Sequence, residues 1–495
     1  MSQPKPLNIQ PLYQAQQVKA GEVEAAKLTG LSMYQLMLSA GEAVFNKVIE
    51  LYGSDVTMLV LCGGGNNGGD GYVVAKLAVE RGIKVTVWAA TLPDKLTGDA
   101  KRAYQDYLLA GGHIVQCYTC PLDNFDVAID ALLGTGLSGK VRDSLGVLID
   151  QVNNSHIETV SVDVPSGLCS DTGRVLGYCI RASHTVTFIG IKRGLVTGQA
   201  RTFVGHLHFS GLGVNEQFDQ MQTTKIWLDS SQLIYPLKQR DACAHKGTQG
   251  KALLVGGDYG LGGAILIAAN ACLKSGSGLT ACLTEERNLT AGLVSTPEVM
   301  FATWSEGNLS QRLDWCNAFA LGPGLGKTIH AQQIFERASI SAKPKVLDAD
   351  ALSFLAQNPS KDDRRIITPH PGEAANLLAC SIDDIEKNRY QAVVQLQQRY
   401  GGVVVLKGAG TLVCTEKGTY VCSAGNAGMA TGGMGDTLTG ITVALLAQSY
   451  TPDMAARIAV MLHSCAADYN VSSNGQCGLT ATDVVNSIRY VIHHI

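Results

Sequence analysis

The fold of this chain can be read from one stretch, Gly425-Asn426-Ala427-Gly428-Met429-Ala430-Thr431-Gly432-Gly433-Met434-Gly435-Asp436. In the apolar segment that follows, Leu438, Ile441 and Leu445 recur at helical spacing, so a glycine-rich loop leads into a helix N-terminus. The unpaired N–H groups and positive dipole end of such a terminus suit an anion such as phosphate, and glycines let the backbone approach it. Asp436 would repel that anion. The pattern therefore leaves two roles for Asp436, capping the helix or taking part in chemistry.

Length and composition describe a globular protein of more than one domain. A chain of 495 residues exceeds one ordinary hydrophobic core, so about two or three domains are expected. Hydrophobic residues make up 46% and charged residues 16%, which excludes a disordered chain. The 55 glycines against 14 prolines indicate many tight loops, as in α/β proteins. A net charge of −3 and a pI of about 6.4 argue against a nucleic-acid partner or an anionic membrane surface.

The 14 cysteines are scattered singly through apolar runs, which indicates reduced thiols. The first residues, Met1 to Pro6, lead into no apolar core of a secretory leader, and no apolar run reaches the length of a membrane span. We therefore expect a cytoplasmic protein. Cys117 and Cys120 form the one closely spaced pair, and a CxxC without a second pair is weak evidence for a metal or redox site.

Strand-like and helical segments alternate in the N-terminal half, after residues up to about 50 that are predicted to be helical. Val56 to Cys62 is a nearly continuous apolar run, as expected of a strand buried on both faces, and it ends at a glycine-rich loop. Strands that alternate with helices predict a parallel sheet, which binds ligands at the carboxyl ends of its strands. Further strands are predicted at Lys84–Trp88, Ile114–Tyr118, Val127–Leu132, Thr159–Val164, Thr185–Ile189 and His206–Phe209.

Three loops follow these predicted strands, at Gly63–Gly71, Asp130–Lys140 and Asp163–Leu168. Together they offer backbone amides, one lysine, and several carboxylate, amide and hydroxyl oxygens. The first loop matches the G-x-G-x-x-G dinucleotide fingerprint, but the acidic residue expected after the second strand is missing, which disfavours a Rossmann dehydrogenase. Its many glycines, two asparagines and aspartate exceed what a tight turn needs. We therefore interpret it as a ligand-binding loop.

These loops resemble those of the NAD(P)H-hydrate epimerase domain. The resemblance spans about residues 10 to 220 and rests on three motifs in order: Gly65–Gly71, Asp130 with Gly134-Thr135-Gly136, and Asp163–Gly167. It implies that the hydrated nicotinamide dinucleotide is held by Asn66, Asn67, Gly68, Gly69, Asp70, Gly134, Thr135, Gly136, Leu137, Ser138, Gly139, Lys140 and Asp163. It also implies that a potassium ion is bound by Asn67, Asp130 and Ser166. Such a weakly hydrated cation requires several oxygen ligands and little net charge.

The C-terminal half shows the same alternation, after residues 215–245, which lack periodicity and are interpreted as a connector. Lys251–Val255 is a predicted strand that leads through a glycine-rich loop into a small-residue helix at Ala264–Ser275, where close packing alone could explain the small residues. The segment Gly322–Thr328 is close to a Walker A motif but fails its spacing, and no helix-length apolar pattern follows it. Further strands are predicted at Leu279–Leu283, Ala318–Leu321, Lys345–Leu347, Val403–Leu406 and Leu412–Cys414.

Together with the loop that ends at Asp436, several C-terminal motifs resemble the ADP/ATP-dependent NAD(P)H-hydrate dehydratase domain of the ribokinase-like superfamily. The resemblance covers about residues 230 to 495 and includes the motifs His245-Lys246-Gly247, Gly322-Pro323-Gly324, Thr368-Pro369-His370-Pro371-Gly372-Glu373 and Lys407-Gly408. The chain departs from the family pattern at Ala427, where proline is expected. The resemblance implies hydrate contacts at Ala264, Gly324, His370 and Asp436, and nucleotide contacts at Lys407, Gly408, Ala409, Gly410, Thr411 and Gly435.

We therefore predict an α/β protein of two domains. Residues 1–222 would form an epimerase domain with a Rossmann-like, three-layer parallel sheet, and residues 223–495 a dehydratase domain with a ribokinase-like α/β sandwich. The resemblance implies K⁺ and Mg²⁺ as cofactors and ADP or ATP as co-substrate, with ADP expected by similarity to bacterial-type fused proteins. The expected partners are the hydrates of NADH and NADPH and further copies of the chain in a homo-oligomer, with no nucleic acid and no membrane.

By the same resemblance, Asp436 is the base that activates the substrate hydroxyl for transfer of a phosphoryl group. A chiral site of this kind accepts one epimer of the hydrate, so the N-terminal domain would interconvert the two. Asp163 is the candidate acid/base for that step, because Asp130 would be engaged with the cation. Two alternatives stay open: a small-molecule kinase with an accessory N-terminal unit, and an N-terminal binding module like those of RNA-processing factors. The second predicts degraded site residues and a basic surface, which this sequence lacks.

Overall fold

The computed structural model describes residues 9–115, 121–238 and 240–494. Cys117 and Cys120, the pair singled out in the sequence, lie outside the described residues. The cysteines within these ranges are free thiols. None of the helices described is both long enough and apolar enough to cross a bilayer. The chain divides into two compact units, whose main segments are Pro11–Thr224 and Lys225–Ile495.

The first unit is built on a parallel sheet. Its strands are β1 (Gln10–Tyr13), β2 (Met58–Cys62), β3 (Val85–Ala89), β4 (Ile114–Val115), β5 (Val127–Ala131), β6 (Glu158–Val162), β7 (His184–Phe188), β8 (Ile191–Lys192) and β9 (His206–Ser210). Its helices are α1 (Ala15–Thr29), α2 (Met33–Tyr52), α3 (Asn66–Glu80), α4 (Gly98–Leu109), α5 (Asp143–Asn154), α6 (Ala200–Phe203) and α7 (Asn215–Met221). The sheet has seven parallel strands in the order β4-β3-β2-β5-β6-β7-β9, and the short strands β1 and β8 pair with each other.

Two hydrophobic cores cover the two faces of this sheet. Successive side chains on a strand point to opposite faces. Met58, Val60 and Cys62 of β2 therefore lie in the core formed with α2 and α3, whereas Leu59 and Leu61 lie in the core formed with α5. All five side chains are buried, which explains the continuous apolar run in the sequence. The predicted three-layer parallel arrangement is confirmed.

The order of the strands places a ligand site at β2 and β5. From β2 the chain extends the sheet to one side through β3 and β4, and β5 then returns to the other side of β2. Ligands of open α/β sheets bind outside the carboxyl ends of the strands at such a switch point. The Gly63–Gly71 loop follows β2, and the Asp130–Lys140 loop begins at the end of β5. The topology thus puts both predicted binding loops at one edge of the sheet.

The second unit is built on a mixed sheet covered by helices. Its strands are β10 (Ile226–Asp229), β11 (Lys251–Val255), β12 (Leu279–Thr284), β13 (Met300–Thr303), β14 (Ala318–Leu321), β15 (Lys345–Leu347), β16 (Arg365–Ile367), β17 (Val403–Leu406), β18 (Leu412–Thr415) and β19 (Gly418–Cys422). Its helices are α8 (Gly262–Lys274), α9 (Asn288–Ser295), α10 (Glu306–Trp315), α11 (Ile329–Ser339), α12 (Asp350–Gln357), α13 (Pro371–Leu378), α14 (Ile382–Lys387), α15 (Arg389–Tyr400), α16 (Met434–Ala447), α17 (Pro452–Asn474) and α18 (Ala481–His494). The strand order is β13-β12-β11-β14-β15-β16-β17-β18-β19-β10, and only β18 pairs antiparallel with its neighbours. A second switch point lies between β11 and β14.

Helices α8 and α16 pack closely because their facing residues are small. A Cβ atom added to Gly440 of α16 would lie 2.1 Å from the carbonyl oxygen of Ala268 and 2.8 Å from the Cβ of Ala271, both in α8. At the start of α16, a Cβ atom on Gly433 would lie 3.1 Å from Cδ1 of Ile267. The small residues of α8 therefore allow α8 and α16 to pack closely, which is the interpretation that the sequence analysis gave for them. The same packing fixes the position of the N-terminus of α16, which carries Asp436.

The strands predicted from apolar runs are present, although the end of the one predicted at Ile114–Tyr118 lies outside the described residues. Two expectations were wrong. Residues 215–245 are not a plain connector, because they contain α7 and β10, and β10 pairs with β19. A helix does follow Gly322–Thr328: α11 is capped by Thr328 and buries four spaced residues, Ala331, Ile334, Phe335 and Ala338. These four residues stand at i, i+3, i+4 and i+7, the spacing of an amphipathic helix, so the sequence did contain the signal that was overlooked.

Replacing Gly440 by Ala is expected to destabilise the second unit by about 1–3 kcal/mol. The added methyl would meet the Ala268 carbonyl, which belongs to the backbone and cannot move aside alone, and this cost exceeds the roughly 1 kcal/mol gained in helix propensity. Denaturant unfolding measures the change. Gly307→Ala in α10 is the matched control, because nothing lies within 4 Å of the added Cβ. Equal midpoints for the two variants would contradict close packing of α8 and α16.

Candidate active site

The first unit brings its three predicted loops together through glycine contacts and one serine. A Cβ atom on Gly63 would lie 1.9 Å from the carbonyl oxygen of Leu132, so only glycine lets the loop after β2 touch the loop after β5. Ser166, in the third loop, accepts a hydrogen bond from the N–H of Leu133 at 2.8 Å. Asn67 of α3 faces Gly134, where an added Cβ would lie 3.2 Å away. Three segments distant in sequence thus line one site.

Asp130 lies fully buried at the centre of these loops. Its carboxylate accepts hydrogen bonds from the hydroxyl of Ser161 at 2.7 Å, and from the N–H and hydroxyl of Ser166 at 2.8 and 2.5 Å. Burial raises the pKa of Asp130, against the lowering effect of these hydrogen bonds. None of its partners carries a positive charge, and a buried carboxylate is normally paired with a cation. The site is therefore suited to a bound cation.

The side chains in contact with Asp130 offer oxygens and neither thiolate nor imidazole, the ligands typical of a transition metal. They are the hydroxyls of Ser161 and Ser166. Asn67 lies against Gly134, and its side-chain nitrogen is buried with no hydrogen-bond partner among the described residues. In the described ranges no three His, Cys, Asp or Glu side chains are grouped so that they could hold a metal ion. Oxygen ligands with one formal charge are what K⁺ prefers. The residues that the resemblance names for potassium, Asn67, Asp130 and Ser166, are compatible with that ion.

Asp163 follows β6 and lies beside a buried lysine that the sequence reasoning missed. Lys192 of β8 donates to Oδ1 of Asp163 at 2.5 Å, and their side chains are 2% and 16% exposed. Asp163 has a φ of 65°, an uncommon conformation for a residue other than glycine. Lys192 lies three residues beyond the predicted strand Thr185–Ile189. From the sequence alone, this segment was given no role.

Two further acids surround this pair. Burial raises the pKa of Glu22, in α1, to about 7, with Asp163 adding to the rise and Lys192 opposing it. Burial, together with Asp163 and Glu22, raises the pKa of Asp70 well above its usual value. Asp70 was predicted as a site residue, whereas Glu22 was not, because nothing in the sequence of α1 marks it. The first unit therefore gathers three carboxyl groups around one buried ammonium.

The remaining predicted residues of the first unit lie around this centre. Asn66 opens α3, and Gly68 and Gly69 are buried in its first turn, where a Cβ on Gly68 would lie 2.1 Å from the Gly63 carbonyl oxygen. The outer part of the second loop is mostly exposed and packs against none of the other loops. It comprises Thr135, Gly136, Leu137, Ser138, Gly139 and Lys140. The structure thus brings the inner residues together and leaves the outer loop at the surface.

In the second unit, Asp436 lies in the first turn of α16 and does not cap it. The N-cap position belongs to Gly433, with a φ of 88°, and no side chain makes a capping hydrogen bond. Burial raises the pKa of Asp436 to about 6, with Asp348 and Glu373 adding to the rise and Lys407 opposing it. Asp436 is therefore not the N-cap of α16. It is a half-buried carboxylate at a helix N-terminus that makes no capping hydrogen bond, so it remains a candidate for a chemical role.

Lys407, at the end of β17, is surrounded by carboxylates. Its Nζ lies 2.8 Å from Oδ1 of Asp348 and 3.7 Å from Oε2 of Glu373. Thr439 of α16 donates to the other oxygen of Asp348 at 2.7 Å. Although burial alone would lower it, Asp348 and Glu373 raise the pKa of Lys407. From the sequence, the motif that contains Glu373 was quoted without a role for that residue, and none was given to Asp348, which directly follows the predicted strand Lys345–Leu347.

The other predicted residues of the second unit lie on loops that meet here. A Cβ on Gly435 would lie 3.2 Å from Nζ of Lys407. Gly324, with a φ of 57°, accepts a hydrogen bond from Asp258 N–H at 2.6 Å, which joins its loop to the loop that precedes Ala264 in α8. The predicted nucleotide residues Lys407, Gly408, Ala409, Gly410 and Thr411 form the turn between the antiparallel strands β17 and β18.

His370 has a structural role that accounts for its position between two prolines. Its Nδ1 accepts hydrogen bonds from the N–H groups of Gly372 and Glu373 at 3.0 and 3.3 Å, and Glu373 accepts from the His370 N–H at 2.8 Å. This is a capping box at the start of α13. The side chain of His370 is still 56% exposed. The cap thus fixes Glu373 beside Lys407, and Nε2 of His370 lies 3.5 Å from Oε1 of Glu373.

The glycine loop itself is anchored at its start. Asp468 of α17 accepts hydrogen bonds from the N–H of Gly425 at 2.8 Å and from the side-chain amide of Asn426 at 2.7 Å. Asn426 in turn accepts from Gly428 N–H at 2.9 Å. The proline expected at Ala427 is thus not the only source of rigidity in this loop, because Asp468 holds both preceding residues. The loop presents its later glycines at the N-terminus of α16.

Comparisons with known proteins cover both units. A family described as NAD(P)H-hydrate dehydratase matches residues 252–489, and one described as YjeF-related protein N-terminus matches residues 33–194. A ribokinase-like superfamily protein from Enterococcus faecalis V583, solved by crystallography, is 27% identical with a TM-score of 0.51. The likeness covers 55% of this chain and 96% of that protein. The ribokinase-like fold predicted for the second unit is confirmed.

Two relatives are similar over nearly the whole chain. The bifunctional NAD(P)H-hydrate repair enzyme of Vibrio cholerae serotype O1 is 53% identical over 483 residues, 97% of this chain and 98% of the relative. The enzyme of the same description from Escherichia coli K12 is 43% identical over 483 residues, 97% of this chain and 94% of the relative. With both units matched in order, this chain belongs to the family of bifunctional NAD(P)H-hydrate repair enzymes.

Proposed function

We propose that this chain repairs hydrated NADH and NADPH in two steps. Residues 1–222 interconvert the R and S hydrates, and residues 223–495 use ADP or ATP to dehydrate the S hydrate to NAD(P)H. Family membership supports both activities. The observation that carries the second step is the state of Asp436 in the first turn of α16: it makes no capping hydrogen bond, and burial raises its pKa to about 6. A carboxylate with that pKa is ionised at neutral pH and basic enough to take a proton.

The dehydration needs an activated leaving group, because hydroxide leaves poorly from the saturated carbon beside the ring nitrogen. Asp436 takes the proton of the substrate hydroxyl, whose oxygen then bonds to the terminal phosphorus of the nucleotide as the bond to the preceding phosphate breaks. The backbone N–H groups at the N-terminus of α16 stabilise the phosphoryl oxygens. The ring nitrogen lone pair then expels inorganic phosphate. Loss of a ring proton restores the dihydropyridine.

The substrates and the nucleotide are assigned to separate parts of this site. We infer that Ala264, Gly324, His370 and Asp436 contact the hydrate. The nucleotide is assigned to the β17–β18 turn, Lys407 to Thr411, and to Gly435. Lys407 supports this assignment, because it carries a positive charge at the end of β17 and lies near the start of α16. A phosphate between the turn and the helix would meet both the ammonium and the helix N-terminus.

Mg²⁺ fits the same cluster on charge. Asp348, Glu373 and Asp436 interact electrostatically with a single cation, Lys407, so the cluster carries excess negative charge. Mg²⁺ sites of phosphoryl-transfer enzymes use one or two carboxylates and the substrate phosphates. We infer that Asp348 and Glu373 hold the ion, which when bound neutralises phosphate charge. In the first unit, Asn67, Asp130 and Ser166 hold K⁺, which when bound supplies the missing counter-charge of Asp130.

For the epimerisation, Asp163 is the acid/base. The hydroxyl-bearing carbon can invert if its bond to the ring nitrogen opens and closes again on the other face. Opening moves the hydroxyl proton to the ring nitrogen and leaves an aldehyde; closure reverses both changes. The carboxylate of Asp163, half-buried beside Lys192, can take and return that proton. The inner loop residues, Asn66 to Asp70 and Gly134, and the outer loop to Lys140 are assigned to substrate binding.

Preference for ADP over ATP, a homo-oligomeric assembly and a cytoplasmic location remain predictions. The free thiols of the described cysteines support a reducing compartment for the last.

Replacing Asp436 by Asn is expected to lower nucleotide-dependent dehydration by about 10²-fold or more, because the amide cannot accept the hydroxyl proton, while the hydrate still binds. The return of dihydropyridine absorbance with the S hydrate and ADP or ATP measures the rate. Asp483→Asn is the matched control: Asp483 also lies in the first turn of a helix, but it is exposed and bonds only to Thr480. Full activity of the Asp436→Asn variant would remove Asp436 as the base.

The pH dependence of the dehydration follows from the raised pKa of Asp436. A base must be ionised, so kcat/KM is expected to be level above about pH 7 and to fall about tenfold per unit below the pKa of about 6. Stopped assays from pH 5 to 8, with the S hydrate supplied directly, measure the acidic side of this pH–rate profile. A level profile down to pH 5, far below the raised value, would contradict the assignment.

A further inference from the structure

The two carboxylate oxygens of Asp163 are in different surroundings. Oδ1 accepts three hydrogen bonds: from Nζ of Lys192 at 2.5 Å, from the hydroxyl of Thr187 at 3.0 Å and from the N–H of Phe188 at 3.3 Å. Oδ2 has no hydrogen-bond partner among the described residues, although a carboxylate oxygen has room for two. Oδ1 of this carboxylate is therefore occupied by hydrogen bonds within the protein, and Oδ2 is available to accept one from a ligand.

Lys192 is held as firmly as the oxygen that it contacts. An ammonium has three donors. Lys192 gives one to Asp163, one to the hydroxyl oxygen of Thr187 at 3.2 Å and one to the carbonyl of Phe188 at 3.0 Å. Its backbone belongs to β8, which pairs with β1 through Tyr13. A side chain with every donor occupied and 2% exposure cannot approach a substrate directly, so any effect of Lys192 on catalysis passes through Asp163.

The backbone around this pair is strained in two places. Asp163 and Ile189 both have a φ of 65°, in the left-handed region that residues other than glycine rarely adopt. They directly follow β6 and β7, which are neighbours in the sheet. Strain of this kind persists only where the surroundings hold it, and it is concentrated at functional sites. The hydrogen bonds from Lys192 and Thr187 are the contacts that hold the carboxylate of Asp163 in this position.

Two buried acids and one lysine interact electrostatically around Asp163. They are Glu22 of α1, Asp70 of α3 and Lys192 of β8, and Lys19 of α1 acts on Glu22. Burial raises the pKa of Glu22 to about 7 and that of Asp70 well above its usual value. Both acids are thereby shifted toward their neutral forms. The positive charge of Lys192 is then balanced by the carboxylate that it touches.

We propose that Lys192 is the positioning residue of the epimerase centre, which fixes Oδ1 of Asp163 so that Oδ2 is the atom that carries the proton. This inference rests on the proposed function of the first unit. In the forward step, the hydroxyl O–H bond breaks and its proton moves to Oδ2. The oxygen lone pair forms the aldehyde C=O as the carbon–nitrogen bond breaks, and the nitrogen receives the proton from Oδ2. After rotation about the carbon–carbon bond, the reverse sequence closes the ring on its other face.

The variant Lys192→Met, made in the full chain, tests this inference. It is assayed in potassium buffer without nucleotide, so that no dehydration takes place. Interconversion of the two hydrates is followed by chromatography, above the rate without enzyme. The expected result is a fall in kcat of about 10²-fold with a small change in KM, because misplacement of a reacting group by about 1 Å costs that much.

Lys345→Met is the matched control. Lys345 and Asp362 form a buried pair in the second unit with the same burial, 1% and 16% exposed, and a separation of 2.7 Å. Removing that lysine therefore breaks a similar buried ion pair, but it is expected to leave kcat and KM of the epimerisation unchanged. A fall in kcat of equal size in both variants, or a loss in Lys192→Met that is confined to KM, would show a merely structural effect and overturn the inference.

A second variant covers the case in which Lys192→Met does not fold, as judged by circular dichroism. Thr187→Val keeps the volume of a fully buried side chain but removes one donor to Oδ1. It is expected to lower kcat about tenfold with KM retained, a smaller loss than a fully displaced group would cause. Wild-type rates in this variant would overturn the inference. Failure of the unmodified chain to interconvert the hydrates would instead refute the proposed function itself.

Discussion

The charge balance around Lys407 is the interaction on which the C-terminal site depends. One ammonium is in contact with Asp348 and Glu373, and it acts electrostatically on Asp436 as well. Without Lys407, three half-buried acids would repel one another, and together they would repel an anionic nucleotide. Burial raises the pKa of Asp436 to about 6, and Lys407 limits the rise that burial, Asp348 and Glu373 cause. The ammonium therefore offsets part of the negative charge of the cluster.

A similar arrangement recurs in the first unit, on a different sheet. Lys192 is paired with Asp163, and Glu22 and Asp70 interact electrostatically with that pair. In both units the lysine-bound carboxylate follows a parallel strand, and a residue other than glycine adopts a positive φ there: Asp163 itself, and Ala349 after Asp348. The two arrangements have the same physical basis. The carboxyl ends of parallel strands lie at one edge of a sheet, and a lysine there offsets the charge of the acids around it.

The sequence predicted much of the fold because buried parallel strands are continuous apolar runs, and those runs survive in β2, β11 and β17. It missed β1, β8, β10, β13, β16 and β19, which are two to five residues long and only partly apolar. Of these, β1, β8 and β10 exist through pairing with partners far along the chain, which no local pattern records. The polar stretch around β10 was for the same reason mistaken for a connector.

The same limit applies to the sites. Glycine loops and the acids inside them were visible, because a run of glycines beside a carboxylate is unusual in any local context. Glu22, Lys192 and Asp348 were not assigned, because each owes its importance to a residue that is distant in the sequence and lies on another element; Lys192, for instance, meets Asp163 at a separation of 29 residues. Asp348, for example, meets Lys407 at a sequence separation of 59 residues. Whether Asp436 caps its helix was also undecidable locally, since the answer depends on the φ of Gly433.

The origin of one oxygen atom tests the central claim most directly, that the substrate hydroxyl is transferred to the terminal phosphate of a nucleotide. A single turnover of the S hydrate with excess enzyme and nucleotide is run in ¹⁸O-labelled water, and the released phosphate is analysed by mass spectrometry. If the hydroxyl attacks phosphorus and leaves as phosphate, the new oxygen comes from the hydrate and the phosphate carries no solvent label. One solvent oxygen in each phosphate would mean that water attacks the nucleotide, and it would contradict the account.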